Sequence, residues 1–300
     1  MRSSAIAEEL IARGEDVIFI GETNDLPWVS ERIKSLGFSA THSNSDGFIS
    51  NPNSDVLLLD SYGINLRDPF ITIHNWLHVI SIVDEQTPDY ECHLRIHPGL
   101  DPLWTGQSKV QILAGPRYIP FRKSIAPHER ETTNHGANLR IAVIAGGSDY
   151  FNLVFEIANI LSSFSEVFDV YLFSDSISAE LFDSRFHKME IGPKLDKLIG
   201  NLDLVFTTSS TSSLEFIAQG LPVGIACAVD NQEQYYKALG DLGVAAQVGF
   251  RNSLNKWVLD SEIIHYLVKS STFRETFTKR AVGLIDFKGA SRIVDAIKTL

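Results

Sequence analysis

The chain has 300 residues, 44% hydrophobic and 21% charged, which is an ordinary globular composition and enough for two domains of common size. Its formal net charge of -11 comes with no basic stripe to neutralise phosphates, which argues against a nucleic-acid partner, and no run approaches the roughly 18 consecutive apolar residues of a membrane span. The cysteines Cys92 and Cys227 form no CxxC pair and the nine histidines no HExxH, so neither a disulfide framework, a metal site nor a bound cofactor is expected.

The pattern opens on a helix over residues 5–12, capped by Ser3 or Ser4 and ended by Gly14; Glu8, Glu9, Glu15 and Asp16 make this stretch unlike a signal peptide, and a cytoplasmic location is expected. Apolar runs of strand length follow at residues 17–20, 56–59, 79–83 and 110–113, then at 141–145, 170–173, 204–206 (within a strand over 203–208) and 223–226. Residues 152–160 and 235–242 have helical spacing between them, and the stretch 289–300 is amphipathic through Ile293, Val294, Ala296 and Ile297. Alternation of this kind predicts a parallel, doubly wound α/β architecture. Residues 125–137 break all periodicity and read as a linker. The expected organisation is therefore an N-terminal domain over 1–124, a C-terminal domain over 138–275, and closing helices over 276–300, the last crossing back to the first domain. A doubly wound domain normally begins with a strand, so the helical opening predicts that the first strand of the N-terminal domain is absent. The oligomeric state is left open.

Ligands of open α/β sheets bind beyond the carboxyl ends of the strands, which selects the residues after each run. After residue 59 comes Asp60-Ser61-Tyr62-Gly63, an acid and a phenol in a site position, or a helix cap and a core edge. Asp84-Glu85 follows the next strand, where adjacent side chains point apart and would not share a proton. Arg117, in Gly115-Pro116-Arg117-Tyr118, could reach a phosphate or stand solvated on its turn. Gly146-Gly147-Ser148-Asp149 is a strand-to-helix turn whose glycines let backbone approach a ligand; it is neither GxGxxG nor a Walker loop. The richest stretch is Ser210-Thr211-Ser212-Ser213-Leu214-Glu215, followed by Asp230-Asn231-Gln232. Small hydroxyl residues opening a helix leave backbone N–H groups for a pyrophosphate, a carboxylate one turn in can accept from both hydroxyls of a ribose, and Asn231 and Gln232 offer amides to a sugar. The alternative is a Ser/Thr-capped helix and an ordinary loop. His74 and His78 are four apart, with no carboxylate at helical spacing to complete a metal site.

In order, Met1-Arg2 before the opening helix, Asp60-Ser61-Tyr62-Gly63, Val83-Asp84-Glu85, Gly115-Pro116-Arg117-Tyr118, Gly146-Gly147-Ser148-Asp149 with Asn152, the stretch 210–215, Asp230-Asn231-Gln232, and Lys288-Gly289-Ala290-Ser291-Arg292-Ile293 resemble the UDP-sugar hydrolases of pseudaminic acid biosynthesis and their spore-coat polysaccharide relatives. The resemblance implies a GT-B-like fold, two doubly wound Rossmann-like domains facing a cleft, related to the N-acetylglucosaminyltransferase of peptidoglycan synthesis. It implies metal-independent attack of water at the anomeric carbon of a UDP-linked diacetamido-trideoxy sugar. Gly146, Gly147, Ser148, Ser210, Thr211 and Ser212 would hold the phosphates, Glu215 the ribose, and Tyr62 and Asn231 the sugar and the attacking water, with Gln232 and Arg117 also binding substrate. The chain departs from the family pattern at Ser210, where a glycine is usual. The family's base histidine lies in a Gly-x-Gly-His loop three residues before the arginine matched by Arg2, so the resemblance places it upstream of Met1 and assigns that role to none of the nine histidines here. Two other readings share these signals: a GT-B glycosyltransferase with a UDP-sugar donor, and a non-catalytic nucleotide-sugar binding protein. A membrane-surface transferase would need a basic and apolar docking patch, which this acidic sequence does not show.

Overall fold

A computed structural model of the chain describes residues 2–21, 33–37, 39–41, 49–61, 65, 67–84, 90–101, 110–125, 138–146, 149–190, 195 and 198–300. The chain divides into two compact units, Met1–Ala126 with Asp286–Leu300, and Pro127–Ile285.

In the first unit, helix α1 (Arg2–Ala12) precedes a parallel pair of short strands, β1 (Ile18–Ile20) and β2 (Ser39–Thr41). Four further parallel strands, β3 (Val56–Leu59), β4 (His78–Ile82), β5 (Leu94–His97) and β6 (Gln111–Ala114), lie side by side in chain order. Ile80, Ile82, Leu94 and Ile96 have no exposure, because the sheet is covered on both faces. One face packs against Ile6 of α1 and against Ile293 and Val294 of the C-terminal helix Gly289–Ile297; the opposite side gathers Leu57, Leu59, Trp76, Val79, Tyr90 and Cys92. Polar contacts fasten the C-terminal helix to the first: Arg13 donates to Glu9 and to the Ser291 hydroxyl, and ion-pairs with Asp295. The helix starts flush against the backbone of the 3₁₀ turn Pro116–Tyr118. A Cβ added at Gly289 would stand 2.1 Å from the carbonyl oxygen of Ile119.

Two details differ from the sequence reading. Helix α1 begins at Arg2, so Ser3 and Ser4 lie inside its first turn instead of capping it. Strand β5 was not among the apolar runs, although residues 93–96 read as extended, because Arg95 and His97 interrupt it; both are buried, Arg95 donating to the carbonyl of Tyr90 at 3.1 Å.

The second unit is built on one seven-stranded sheet. Its elements are β7 (Leu139–Ile144), α2 (Leu153–Ser162), β8 (Phe168–Phe173), β9 (Phe186–Met189), β10 (Leu204–Thr208), α3 (Thr211–Ala218), β11 (Val223–Cys227), α4 (Glu233–Asp241), β12 (Ala246–Arg251), β13 (Trp257–Leu259), α5 (Ser261–Lys269) and α6 (Ser271–Ala281). The strand order is β13-β12-β11-β10-β7-β8-β9, parallel throughout except for the antiparallel β12–β13 edge. The chain starts in the interior at β7, lays β8 and β9 to one side, then returns to lay β10, β11 and β12 on the other. The order therefore reverses between β7 and β10, which pair directly. Among the described residues no helix is long and apolar enough to cross a membrane.

The first unit generates two predictions. Gly289→Ala forces a methyl into the Ile119 carbonyl and should cost about 1–3 kcal/mol; a lowered urea midpoint at unchanged slope would register it. His93 accepts the Val79 amide on Nδ1 at 2.9 Å and stands 5.2 Å from the His78 ring; burial first and the neighbouring His78 second hold its pKa below the usual 6.5. A histidine pKa depressed by folding leaves stability intact above 6.5 and erodes it as the pH falls through the folded value, because the unfolded chain then binds the extra proton. The urea midpoint should drop between pH 7.5 and 5.5, and a His93→Gln variant should show a flatter pH dependence.

Candidate functional site

The reversal between β7 and β10 places two strand-to-helix turns side by side at the carboxyl edge of the second sheet. The first follows β7. Gly146 sits at φ +100°, a conformation that side chains resist, although a Cβ there would meet nothing within 4 Å; backbone shape and not crowding requires the glycine. Gly147 and Ser148 lie outside the described residues. Beyond them, Asp149 turns its carboxylate back on the start of α2, accepting the Val154 amide at 3.3 Å, with further hydrogen bonds from the Leu153 amide and Ser174. Burial raises the Asp149 pKa against the pull of these donors. Asn152, the residue next to the helix, is left-handed at φ 57° and makes no side-chain cap. The N-terminus of α2 therefore carries a carboxylate from its own chain.

The second turn differs in the feature that matters for an anion. Ser210 holds the N-cap position of α3 in an extended conformation, φ −121° and ψ 179°, yet its side chain does not cap the helix. Its hydroxyl instead accepts from Thr208 Oγ1 at 3.2 Å, while Thr208 also reaches the carbonyl of Ala145 at 3.4 Å, tying this turn to the one after β7. Ser213 donates its hydroxyl to the Ser210 carbonyl at 2.7 Å. Among the described residues no side chain closes the positive end of α3, where Thr211 and Ser212 open the first turn. The Ser/Thr-capped helix that the sequence left open as an alternative is not what forms. Glu215 follows one turn in and is buried, 8% exposed.

The third loop, after β11, is pinned to the second. Ser209 donates to the carbonyl of Gln232 at 3.2 Å, and the Gln232 side-chain oxygen accepts the Ala228 amide at 3.0 Å. Gln232 thus spends its carbonyl on the shape of the loop, whereas Asn231 stands exposed in the 3₁₀ turn Asp230–Gln232. Gly146, Ser210, Thr211, Ser212, Glu215, Asn231 and Gln232 all belong to the same edge of one sheet. Among the residues here that sequence reasoning missed is Thr208, the hydroxyl joining two of the turns; nothing in its position as the last residue of a strand marks it.

The remaining sequence candidates belong to the first unit. Arg2 pairs with Asp60 at 2.7 Å and approaches Asp84 at 3.7 Å, so one guanidinium holds the acids that end β3 and β4. Tyr62 and Glu85 lie outside the described residues. Arg117 is exposed on its turn, and its carbonyl accepts from Arg292 at 3.0 Å. Among the described residues no group of three or more His, Cys, Asp or Glu is placed to hold a metal ion.

No family model matches the chain, and no curated protein matches it. Solved structures do. The glycotransferase of kitacinnamycin is 15% identical over 99% of this chain and 94% of its own, with a TM-score of 0.66. Acinetobacter baumannii MurG is 14% identical over 100% of this chain and 95% of its own, TM-score 0.67, and the spinosyn forosaminyltransferase SpnP is 11% identical over 99% and 94%, TM-score 0.67. At such identities the likeness is one of fold. The chain has the α/β GT-B glycosyltransferase fold, with Rossmann-like parallel sheets in both units.

The capping carboxylate of α2 can be tested by itself. A carboxyl whose folded pKa is raised above the unfolded 3.8 loses stability as the pH rises through the folded value. Asp149→Asn keeps an acceptor for the Val154 amide and removes the charge, so at pH 7 it should be at least as stable as the parent. Asp149→Ala, which leaves the amides uncapped, should lose about 1 kcal/mol. Urea midpoints of both variants across pH 4 to 7 decide the matter.

Proposed function

We propose that the chain is a glycosyltransferase that takes its sugar from a uridine diphosphate donor, with the diphosphate seated on the open end of α3. One observation carries this reading. Of the two helices that begin at the strand-order reversal, α2 is capped by Asp149 while α3 has no side-chain cap among the described residues, and its end faces the position where open α/β sheets bind ligands. Breaking the anomeric C–O bond leaves negative charge on the departing diphosphate. Amides already aimed at that charge stabilise it without reorganising, and a single such donor is worth about 3–4 kcal/mol in enzymes where one has been removed. We assign Thr211 and Ser212 with the Gly146 turn to the phosphates, Glu215 to the ribose hydroxyls, and Asn231 to the sugar.

The fold likeness to glycosyltransferases supports transfer over hydrolysis. The second reading, removal of UDP from a diacetamido-trideoxy sugar by water, is favoured by the ordered series of short motifs that includes Gly146-Gly147-Ser148-Asp149 and Asp230-Asn231-Gln232. The two differ in what attacks the anomeric carbon. UDP release from a panel of UDP-sugars should require an added hydroxyl-bearing acceptor; release at full rate in buffer alone would replace transfer with hydrolysis. Tight UDP binding without turnover under either condition would instead mean a binding protein.

The ribose assignment has its own test. Glu215→Ala should weaken UDP binding by about 1–3 kcal/mol, the scale of leaving buried hydrogen-bonding groups unpaired. Calorimetric titration giving the parental affinity would remove Glu215 from that role.

A further inference from the structure

At the same carboxyl edge of the second sheet, Arg251 makes an unusual set of contacts for a partly buried side chain. It ends β12, next to β11. The register of that pair slips by one residue: Ile225 faces Gln247, but Ala226 faces Gly249 and Cys227 faces Phe250. Continued by one residue, the slip sets Arg251 and not Phe250 opposite Ala228, and its guanidinium donates to the Ala228 carbonyl at 3.1 Å. The other arm of the fork reaches Asn255 Oδ1 at 2.9 Å, in the turn that joins β12 to β13. The guanidinium carbon lies over the ring of Phe151, 3.7 Å from its centroid, in the turn after β7.

The neighbouring strand reinforces this grip. Arg251 is the direct antiparallel partner of Trp257, so their side chains share one face of the β12–β13 ribbon. Trp257 donates its indole N–H to the carbonyl of Phe151 at 2.8 Å. Phe151 is held on its ring by one residue of the pair and on its backbone by the other. Arg251 thereby joins the turn after β7, which carries Gly146 and Asp149, to the loop after β11, which carries Asn231 and Gln232. These are the two loops that flank Ser210 and the open end of α3.

We propose that Arg251 is a positioning residue for the nucleotide-sugar site: it fixes the spacing of the β7 and β11 loops on either side of the diphosphate position while touching no part of the ligand. The proposal rests on the functional reading given above for α3. A planar, always-charged fork suits the task, because it can stack and donate in two directions at once, which a lysine cannot.

The same sheet supplies its own control. Arg185, before β9 at the amino edge, also stacks on an aromatic ring, 4.6 Å from the Phe168 centroid, and donates to the carbonyls of Phe164 and Glu166. Removing it should damage the fold without reaching the site. Three variants, R251L, R251K and R185L, are compared by calorimetric titration with UDP, by thermal unfolding, and by amide hydrogen exchange. In R251L the UDP affinity should fall about tenfold, the scale of one lost cation–π and hydrogen-bond anchor. R251K, which keeps the charge and one donor, should fall between R251L and the parent; it also serves if R251L does not fold. R185L should lower the unfolding temperature and leave UDP affinity within about twofold. Exchange should quicken at 149–151 and 228–232 in the Arg251 variants and not in R185L. Parental UDP affinity in folded R251L, or an equal loss in R185L, overturns the proposal. If the parent binds no UDP, the functional reading fails by itself, and unchanged exchange at those two loops would overturn the positioning role as well.

Discussion

Everything in the second unit follows from where its chain enters the sheet. Because β7 is laid down in the interior and the order then grows in both directions, β7 and β10 are neighbours whose connections leave on opposite sides. Crossovers between parallel strands are right-handed almost without exception. A reversal of strand order therefore sends α2 and α3 to opposite faces of the sheet, and their first turns part at its carboxyl edge. No side chain has to be specified to make that opening. It is a consequence of connectivity, and what the side chains decide is which of the two helix ends a ligand can use.

They decide it by charge. Both helices begin after a short turn from adjacent strands, and each presents the unpaired amides of a first turn. Asp149 bends back to neutralise those of α2, at the cost of burying a carboxylate whose pKa rises in consequence. Ser210 is as good a capping residue as any, yet its hydroxyl is drawn off by Thr208, whose own oxygen is anchored toward the Ala145 carbonyl. The single Thr208 proton, shared between these two acceptors, thus goes with a helix start that has no side-chain acceptor among the described residues. An anion near α2 would meet Asp149, whereas among the described residues no carboxylate caps the start of α3.

The legible part of this in the sequence is the part set by burial. Runs such as 56–59, 141–145 and 223–226 are continuously apolar because parallel strands are covered on both faces, and they coincide with β3, β7 and β11 to within two residues at either end. Strands that carry polar residues escaped the same search: β5 through Arg95 and His97, β9 through His187 and Lys188, β12 through Gln247 and Gly249. Each lies in a sheet that only tertiary pairing defines. Residue type and position at strand ends were enough to foresee that Gly146, the 210–215 stretch and Asn231 share one edge of the sheet. Rotamer choice was not legible. Nothing in the letters tells that Ser210 turns from its helix, that Gln232 folds onto Ala228, or that Asp149 reaches past Asn152, since each outcome depends on a partner brought in from another strand.

The net charge of -11 opposes an anionic ligand at long range. It carries little weight here, because screening limits the reach of surface charge to about 8 Å at physiological ionic strength, while aligned amides act at contact distance. What the local arrangement must avoid is a carboxylate inside that range with no compensating donor. Glu215 lies one turn into α3 and is buried, and the proposed reading gives it hydroxyls rather than phosphate. On the proposed reading, the pairing of an open helix end with an acid one turn in would be selective in two steps: the first would admit a diphosphate, and the second would ask that a diol accompany it. A ribonucleoside diphosphate satisfies both, whereas free phosphate or a deoxyribonucleotide satisfies one, so the discrimination between these ligands should reside in Glu215 and not in the overall field of the protein.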